Sequence, residues 1–302
     1  MKICFVGQRL YFDKQVNSGV EDAVWLEVAT GIGDWNDVLK VDADIFVFFM
    51  PHQVPHNIRR RLRGIEVAVH AEPIPKFIDG NYITSKDIHQ RYLDLAPATN
   101  YKHFYHHDKT SFPVLEREGM RPKEFISAIS TKKFHPMEME KKWDLLFFGR
   151  ETQHRLDMLL PSKHLWGDRF LHIAHGVNGA ELNTLMNMSK IGINAHCEAL
   201  PALENRMQAC MAAGLFVMSE PLSHNDFFVP GQHFVEFRDS DELIRVAKYY
   251  LEREDEREAI AQAGFDLVTQ NLAAHIVWPR LIKEVLESVQ GGKGEYVRRG
   301  ME

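Results

Sequence analysis

The sequence predicts an α/β protein made of two doubly wound units, each a parallel sheet covered by helices. Three observations support this fold class. The chain has 302 residues, more than one compact core usually holds. Short apolar runs recur between polar, helix-like stretches, as strands buried on both faces require. Each half also opens with an apolar strand that ends in glycine, at Gly7 and at Gly149.

The clearest strand candidates, taken in chain order, lie at residues 3–6, 45–50, 67–69, 125–129, 145–148, 191–193, 215–218 and 234–237. The boundary between the units is expected at 136, because residues 137–142 are charged and lack apolar periodicity. We therefore expect an N-terminal domain over residues 1–136 and a C-terminal domain over 137–290 whose final helix packs back. Residues 291–302 are rich in glycine and charge and are expected to form a loose tail.

Composition argues against several classes of function. The net charge of -6 predicts no general nucleic-acid binding, which needs a basic face. Three widely spaced cysteines predict neither a disulfide framework nor a structural zinc site, and they favour the reducing cytoplasm. No run of 18 apolar residues occurs, so no transmembrane segment is expected, while peripheral membrane contact stays open.

A histidine cluster at His103, His106 and His107, next to Asp108, invites a metal interpretation. Its spacing matches no zinc pattern, and residues 101–109 are typical of a strand and a turn. We therefore expect a polar loop that faces a cleft, with no metal and no cofactor.

The most informative stretch begins with a helix at residues 181–189 and a strand at 190–196. A polar loop, 197–201, then leads into a helix predicted over 202–213, with Pro201 suited to its first position and Gly214 to its C-terminal cap. A strand, a loop and a helix N-terminus together favour an anion, here a diphosphate. Glu198 and Glu204 would repel phosphate and instead suit ribose or hexose hydroxyls. Arg206 can pair with a phosphate or with Glu204, and a plain surface ion pair remains the alternative.

The segment LENRMQACMAAG at residues 203–214, with the apolar strand that follows it, resembles the donor-binding segment of GT-B glycosyltransferases. The likeness is greatest to group-1 transferases related to the spore-maturation glycosyltransferase-like proteins, and weaker matches continue in register over about residues 142 to 279. Residues 67–75 also resemble a strand ending in a Glu-Pro loop at the cleft of some relatives.

This resemblance implies two Rossmann-like domains facing across a cleft. It implies transfer of a sugar from a nucleotide-diphosphate sugar to a glycan, a lipid-linked glycan or another acceptor, without a metal, in bacterial or phage glycan synthesis. One position departs from the family pattern, because Ala209 stands where retaining members commonly carry a glutamate. Glu204 or Glu198 can substitute for it, and the stereochemical outcome is left open.

The residues expected to bind the donor lie at the two strand-end glycines and around the loop before the predicted helix: Gly7, Gly149, Arg150, Arg155, His196, Glu198, Leu200, Pro201, Glu204, Asn205 and Arg206. Arg150 and Arg155 are candidates to neutralise the leaving diphosphate. The catalytic candidates are Glu198, Glu72 and His70, the last two as the base that an inverting enzyme needs near the acceptor.

Two alternatives keep the fold and change the function. A nucleotide-sugar epimerase would turn over a nucleotide sugar without an acceptor. A catalytically silent nucleotide- or sugar-binding module would bind without turnover, and Ala209 favours it. An oxidoreductase is disfavoured, because Gly31 and Gly33 lack the third glycine and the preceding strand of a dinucleotide-binding turn.

Overall fold

The structure is a computed structural model that describes residues 1–12, 16, 23–95 and 100–299, and the side chains of all of these except 10, 11 and 291–299. Its N-terminal strands are β1 (Ile3–Val6), β2 (Ala23–Leu26), β3 (Ile45–Phe48), β4 (Ile65–His70), β5 (Lys76–Ile78), β6 (Asn81–Ile83), β7 (His103–His106) and β8 (Pro122–Glu124). The helices between them are α1 (Arg9–Phe12), α2 (His56–Arg59), α3 (Lys86–Asp94) and α4 (Phe112–Arg117). Six strands pair in parallel in the order β2-β1-β3-β4-β7-β8, and β5 and β6 form a separate hairpin.

The second sheet is also parallel, with the order β10-β9-β11-β12-β13. Its strands are β9 (Trp143–Phe148), β10 (Phe170–Ile173), β11 (Ser189–Asn194), β12 (Phe216–Ser219) and β13 (Val235–Glu236). The helices of this half are α5 (Gln153–Trp166), α6 (Gly179–Asn187), α7 (Asn205–Ala212), α8 (Ser240–Glu252), α9 (Glu254–Leu267) and α10 (Ala274–Arg299). Two parallel sheets with interleaved helices confirm the predicted α/β class, and the boundary expected at residue 136 falls in the segment between β8 and β9.

The central strands are fully buried, as their apolar runs predict. All four residues of β1, β3 and β12 are buried, which fits strands covered on both faces. Edge strands differ: β2 is exposed or half-buried along its whole length. Neither β2 nor β10 is among the strands predicted from the sequence, although β2 is as long and as apolar as β1.

The final helix returns to the N-terminal domain. The ring of Trp278 in α10 lies edge-on to Phe5, with centroids 4.9 Å apart, and edge-on to Phe49 at 5.8 Å. Helix α10 continues to Arg299, so residues 291–299 are helical where a loose tail was expected. No proline follows Pro279 to interrupt the helix. Residues 300–302 lie outside the described part of the chain.

The strand predicted at 125–129 is not a strand. This segment is a buried connection with one β-bridge, between Ile129 and Ala273, and the Phe125 amide donates to the His106 carbonyl at 3.1 Å. Phe125 and Ala128 pack into the N-terminal core, whereas Ile126 and Ile129 pack into the C-terminal core. The segment is therefore apolar because it contributes side chains to both cores. Its sequence pattern looks the same as that of a buried strand.

None of the described helices combines the length and the apolar character that crossing a membrane requires.

Candidate functional site

A cleft of about 520 Å³ lies between the two domains and is lined by residues of both. It lies at the carboxyl ends of the parallel strands, where such sheets bind ligands. Every residue expected at the site lines this cleft except Gly7 and His70. The predicted residues that do so are Glu72, Gly149, Arg150, Arg155, His196, Glu198, Leu200, Pro201, Glu204, Asn205 and Arg206.

Glu204 is the centre of a charged network on the C-terminal wall. Its carboxylate lies 2.8 Å from Nη2 of Arg206 and 3.2 Å from Nη2 of Arg155. Nδ1 of His196 lies 3.5 Å from the other carboxylate oxygen. Burial opposes ionisation of this carboxyl, but Arg206, His196 and Arg155 outweigh that effect and hold the pKa of Glu204 well below its usual range. Glu204 is therefore an anion whose charge is already matched by the protein.

Arg155 and Arg206 direct most of their hydrogen bonds inward. Arg155 donates to the carbonyls of Ala195 at 3.0 Å and Arg150 at 3.1 Å, besides Glu204. Its pKa is lowered, chiefly by burial and then by the neighbouring Arg206 charge. These bonds make Arg155 a residue that joins the ends of two strands, rather than a cation open to a ligand.

The Arg206 side chain is 7% exposed and joins the same strand ends. It donates through Nε to the Phe148 carbonyl at 2.6 Å and through Nη1 to Asn194 Oδ1 at 2.8 Å. The alternative of a surface ion pair is therefore wrong, because both the pair with Glu204 and its surroundings are largely buried. Arg206 was expected to pair with a phosphate or with Glu204, and the structure shows the pair with Glu204.

Gly149 is required by this network. Its φ is +152°, and a Cβ there would lie 2.9 Å from Nη2 of Arg206. Any side chain would push the guanidinium away from Glu204. The next residue, Arg150, is exposed, and its Nη2 donates to the Cys197 sulfur at 3.4 Å. Arg150 is thus the arginine of this wall that faces the cleft with most of its donors open.

The helix after the loop begins later than predicted. Residues 201–204 are not helical; α7 starts at Asn205, and Glu204 precedes it with extended backbone angles, φ -115° and ψ 135°. Pro201 therefore lies within the loop rather than at the first helical position. The cause is tertiary, since the Pro201 carbonyl accepts a hydrogen bond from Lys76 at 2.7 Å. The C-terminal end agrees with prediction: Gly214 has φ +73°.

The opposite wall carries one of the predicted catalytic residues. Glu72 follows β4, is half-buried and lines the cleft. It makes no hydrogen bond or ion pair with any residue that the structure describes. Glu72 is therefore a carboxylate of the cleft lining that no described side chain engages, in contrast to Glu204.

His70 does not reach the cleft. Its ring is 1% exposed, and Nδ1 lies 3.3 Å from Nδ1 of His106. Burial, then the nearby His106, His52 and His107, lower the pKa of His70 well below its usual value. A ring buried among other histidines has no path to an acceptor hydroxyl. The structure therefore places Glu72, and not His70, in the lining of the cleft.

Gly7 also lies away from the cleft. A Cβ there would meet Phe49 Cβ at 3.2 Å and Phe12 Cδ2 at 3.3 Å, so this glycine makes room for aromatic packing. Residues near it do reach the cleft: Arg9 and Phe12, both in α1, form part of the lining.

The histidine cluster is distributed between the core and the cleft. His103 and His106 belong to the buried strand β7, whereas His107 and Asp108 line the cleft as expected of a polar loop. Within the described residues, no group of three or more histidine, cysteine, aspartate or glutamate side chains could hold a metal ion.

Sequence reasoning missed part of the lining. Arg91 on α3 and Lys133 line the N-terminal side, and residues 173–179, between β10 and α6, line the C-terminal side. Lys76 reaches the base of the cleft as well. A single lysine or arginine carries no local sequence signal that it will line a cleft. Only the fold shows that these residues meet here.

Comparison with known proteins agrees with this architecture. Residues 134–281 match the family described as glycosyl transferase-like. The HepE protein of Anabaena, solved with UDP-glucose, superposes with a TM-score of 0.63 at 12% identity, covering 96% of this chain and 100% of that one. No curated protein sequence matches significantly.

Two further solved structures share the fold. Sucrose-phosphate synthase of Thermosynechococcus elongatus gives a TM-score of 0.56 at 10% identity, covering 85% of this chain and 74% of that one. A glycosyltransferase from Rickettsia africae gives 0.53 at 10% identity, covering 84% and 79%. The chain therefore has the two-domain GT-B fold, and its residues 134–281 match a glycosyl transferase-like family.

Proposed function

We propose that the cleft binds a nucleotide-diphosphate sugar on its C-terminal wall (residues 137–290) and the acceptor on its N-terminal wall (residues 1–136). The observation that carries the proposal is the position of Arg150. Its exposed guanidinium stands at the Gly149 turn, beside the loop 197–204 that leads to α7. The HepE structure with UDP-glucose supports a donor of this chemical class.

The donor wall contains residues that hold its shape and residues that contact the donor. Arg155 and Arg206 are both held by the Glu204 carboxylate and by backbone carbonyls, and together these residues keep the strand ends and the start of α7 in place. Arg150 is then the cation that meets the diphosphate and neutralises the charge that develops on it as the sugar leaves. Glu198 and Asn205, which line the cleft, suit the hydroxyls of the ribose or the transferred sugar.

Glu72 serves as the base in an inverting transfer. It would take the proton from the acceptor hydroxyl as that oxygen attacks the anomeric carbon. Glu72 belongs to the wall opposite the donor residues, and this supports an acceptor bound between Glu72 and the sugar. In a retaining transfer Glu72 would not act in this way, so its substitution separates the two outcomes.

The acceptor is a glycan, a lipid-linked glycan or another hydroxyl compound, in bacterial or phage glycan synthesis, and the reaction proceeds without a metal. A cytoplasmic location is supported by Cys4, Cys197 and Cys210, which are all free thiols.

A silent binding module is the second candidate. Ala209 is fully buried in the C-terminal core, so it offers no polar group to the cleft in place of the usual glutamate. Binding of a nucleotide sugar with neither transfer, hydrolysis nor epimerisation would favour the module.

The first experiment measures thermal stabilisation by UDP, GDP, ADP, TDP and CMP and by their sugars. A ligand at a hundredfold excess over its dissociation constant adds about 2.7 kcal/mol to the stability of the folded protein. The informative variant is Arg150→Gln, because Arg150 is exposed and its loss should not unfold the chain. Arg238→Gln is the matched control, since the Arg238 side chain is 76% exposed and lies outside the cleft lining.

We expect one nucleotide to raise the melting temperature of the wild type and of Arg238→Gln, and to shift Arg150→Gln much less. Equal shifts in all three proteins would remove Arg150 from the donor site. The absence of any shift in the wild type would contradict the proposed function itself.

A further inference from the structure

Lys76 is buried, although nothing in its local sequence predicts this. Its side chain is 3% exposed and lies at the start of β5, at the base of the cleft. A buried ammonium group is costly unless it is paired and fully hydrogen-bonded. Its contacts therefore indicate what it does for the molecule.

The ammonium group of Lys76 has three N–H donors, and three oxygens surround it. Nζ lies 2.6 Å from Oδ2 of Asp108, 2.7 Å from the carbonyl of Pro201 and 3.1 Å from Oγ of Ser223. Asp108 belongs to the N-terminal domain, whereas Pro201 and Ser223 belong to the C-terminal domain. With all its donors engaged, Lys76 is not available to a ligand and instead ties the two domains together.

Asp108 and Ser223 complete the cluster. The Ser223 hydroxyl lies 2.8 Å from Oδ2 of Asp108 and 2.9 Å from the Pro201 carbonyl, and its one proton can be donated to either. The other carboxylate oxygen of Asp108 accepts from the Thr110 amide at 3.0 Å. Burial opposes ionisation of Asp108, but Lys76 and then His107 outweigh it and hold its pKa well below the usual range.

We propose that Lys76 is a positioning residue for the donor site, which holds the loop 197–204 in its binding conformation through the carbonyl of Pro201. The inference rests on the function proposed above. Pro201 lies midway between Glu198 and Glu204, and because Arg155 and Arg206 hold Glu204, a displaced Pro201 moves the Glu198 side of the loop. The N-terminal domain thereby sets the shape of the wall on which the nucleotide sugar binds.

The test needs a variant that folds without the ion pair. Lys76→Met alone would leave the Asp108 carboxylate buried and unpaired, which destabilises strongly. The double variant Lys76→Met with Asp108→Leu removes both charges, and apolar residues of similar size often replace a buried ion pair at little cost. It leaves the Pro201 carbonyl without its ammonium donor.

Lys109→Met is the matched control. Lys109 also joins the domains, through an ion pair with Asp226, and it lies next to Asp108 in the sequence. It makes no hydrogen bond or ion pair with the loop 197–204 among the described residues. A general loss of domain contact would affect both variants alike, whereas a positioning role affects only the double variant.

Affinity for UDP, GDP, ADP, TDP and CMP is measured by calorimetry, and the tightest of them is compared across variants. We expect the double variant to raise the dissociation constant at least tenfold, and Lys109→Met less than twofold. Hydrogen exchange should become faster at residues 197–204 in the double variant, with β4 unchanged. A purely structural role would move neither the affinity nor the exchange of this loop once the variant is folded.

Wild-type affinity in the folded double variant would overturn the inference and leave the donor site standing. If the wild type binds no nucleotide, the proposed function fails, and unchanged exchange at 197–204 would then overturn the role of Lys76 independently. If the double variant does not fold, Lys76→Met with Asp108→Asn provides the test, because it removes both charges and the ammonium tie to Pro201 and keeps an acceptor for the Thr110 amide. A raised dissociation constant would again support the inference, and an unchanged one would overturn it.

Discussion

Gly7 and Gly149 occupy equivalent places in the two domains, yet different kinds of side chain pack against them. Each follows the first strand of its sheet, and each donates its amide to the last residue of a neighbouring edge strand, Leu26 at 3.2 Å and Ile173 at 2.8 Å. At Gly7 the space is filled by the rings of Phe12 and Phe49, stacked 4.7 Å apart. At Gly149 the space is filled by the guanidinium groups of Arg206 and Arg155 and by the edge of the Phe147 ring.

The difference shows that one local motif supports either packing or a charged site, depending on what the rest of the domain brings to it. Aromatic rings close the strand end of the N-terminal domain and make it part of the core. Arg155 and Arg206, matched by Glu204, keep the strand end of the C-terminal domain polar and open to the cleft.

Replacing Glu204 by alanine should have the largest effect. Two largely buried guanidinium groups would lose the carboxylate that matches them, so the free energy of unfolding should fall by about 3 to 5 kcal/mol. Urea denaturation measures this change. Glu198→Ala is the control, because Glu198 is half-buried and has no ion pair among the described residues; it should change stability by less than about 0.5 kcal/mol. Equal effects of the two substitutions would refute the charged network as the support of this wall.

Gly149→Ala should come next. The new Cβ would lie 2.9 Å from Arg206 and would have to adopt φ +152°, so we expect a loss of about 2 to 3 kcal/mol. Because Arg206 must move, nucleotide affinity should fall as well. Chemical denaturation and calorimetry with the same nucleotide measure the two effects, and a variant with wild-type affinity would contradict the link between this turn and the donor wall.

Gly7→Ala should cost less and leave binding intact. Its Cβ would meet Phe49 at 3.2 Å and Phe12 at 3.3 Å, contacts that small side-chain shifts can relieve. We expect a loss of about 1 kcal/mol in unfolding free energy and an unchanged dissociation constant for the nucleotide. If Gly7→Ala weakens binding as much as Gly149→Ala does, the contrast between the two strand ends fails.

The smallest effect is a difference in pH dependence. The pKa of Glu204 is lower in the folded protein than in the unfolded chain, where it is about 4.3. Its contribution to stability is thus fully present above about pH 4.3 and is lost as pH falls towards the folded value. Glu204→Gln should therefore lose stability less steeply than the wild type below pH 4.3, while Gly7→Ala should follow the wild-type slope. Parallel curves for Glu204→Gln and the wild type would show that Glu204 does not ionise in this manner.

Much of the donor wall could be predicted from sequence, because its parts are close together in the chain. The strand, the loop and α7 follow one another within residues 189–212. All seven donor-binding residues predicted in this stretch line the cleft. The direction of the His70 side chain could not be predicted from the sequence, because a histidine at a strand end can point into the core as easily as into a cleft. Its neighbours His52 and His106, which bury it, come from other strands and loops.

The sequence by itself determined the fold class, the buried parallel strands and the glycine turns, because each follows from a run of adjacent residues. Only the tertiary structure decided which charges meet. Arg155 and Glu204 are 49 residues apart, and Lys76 and Pro201 are 125 apart, so no local pattern encodes either contact. Folding brings these groups into a cleft where water is scarce, and burial then makes their pairing strong enough to shape the site.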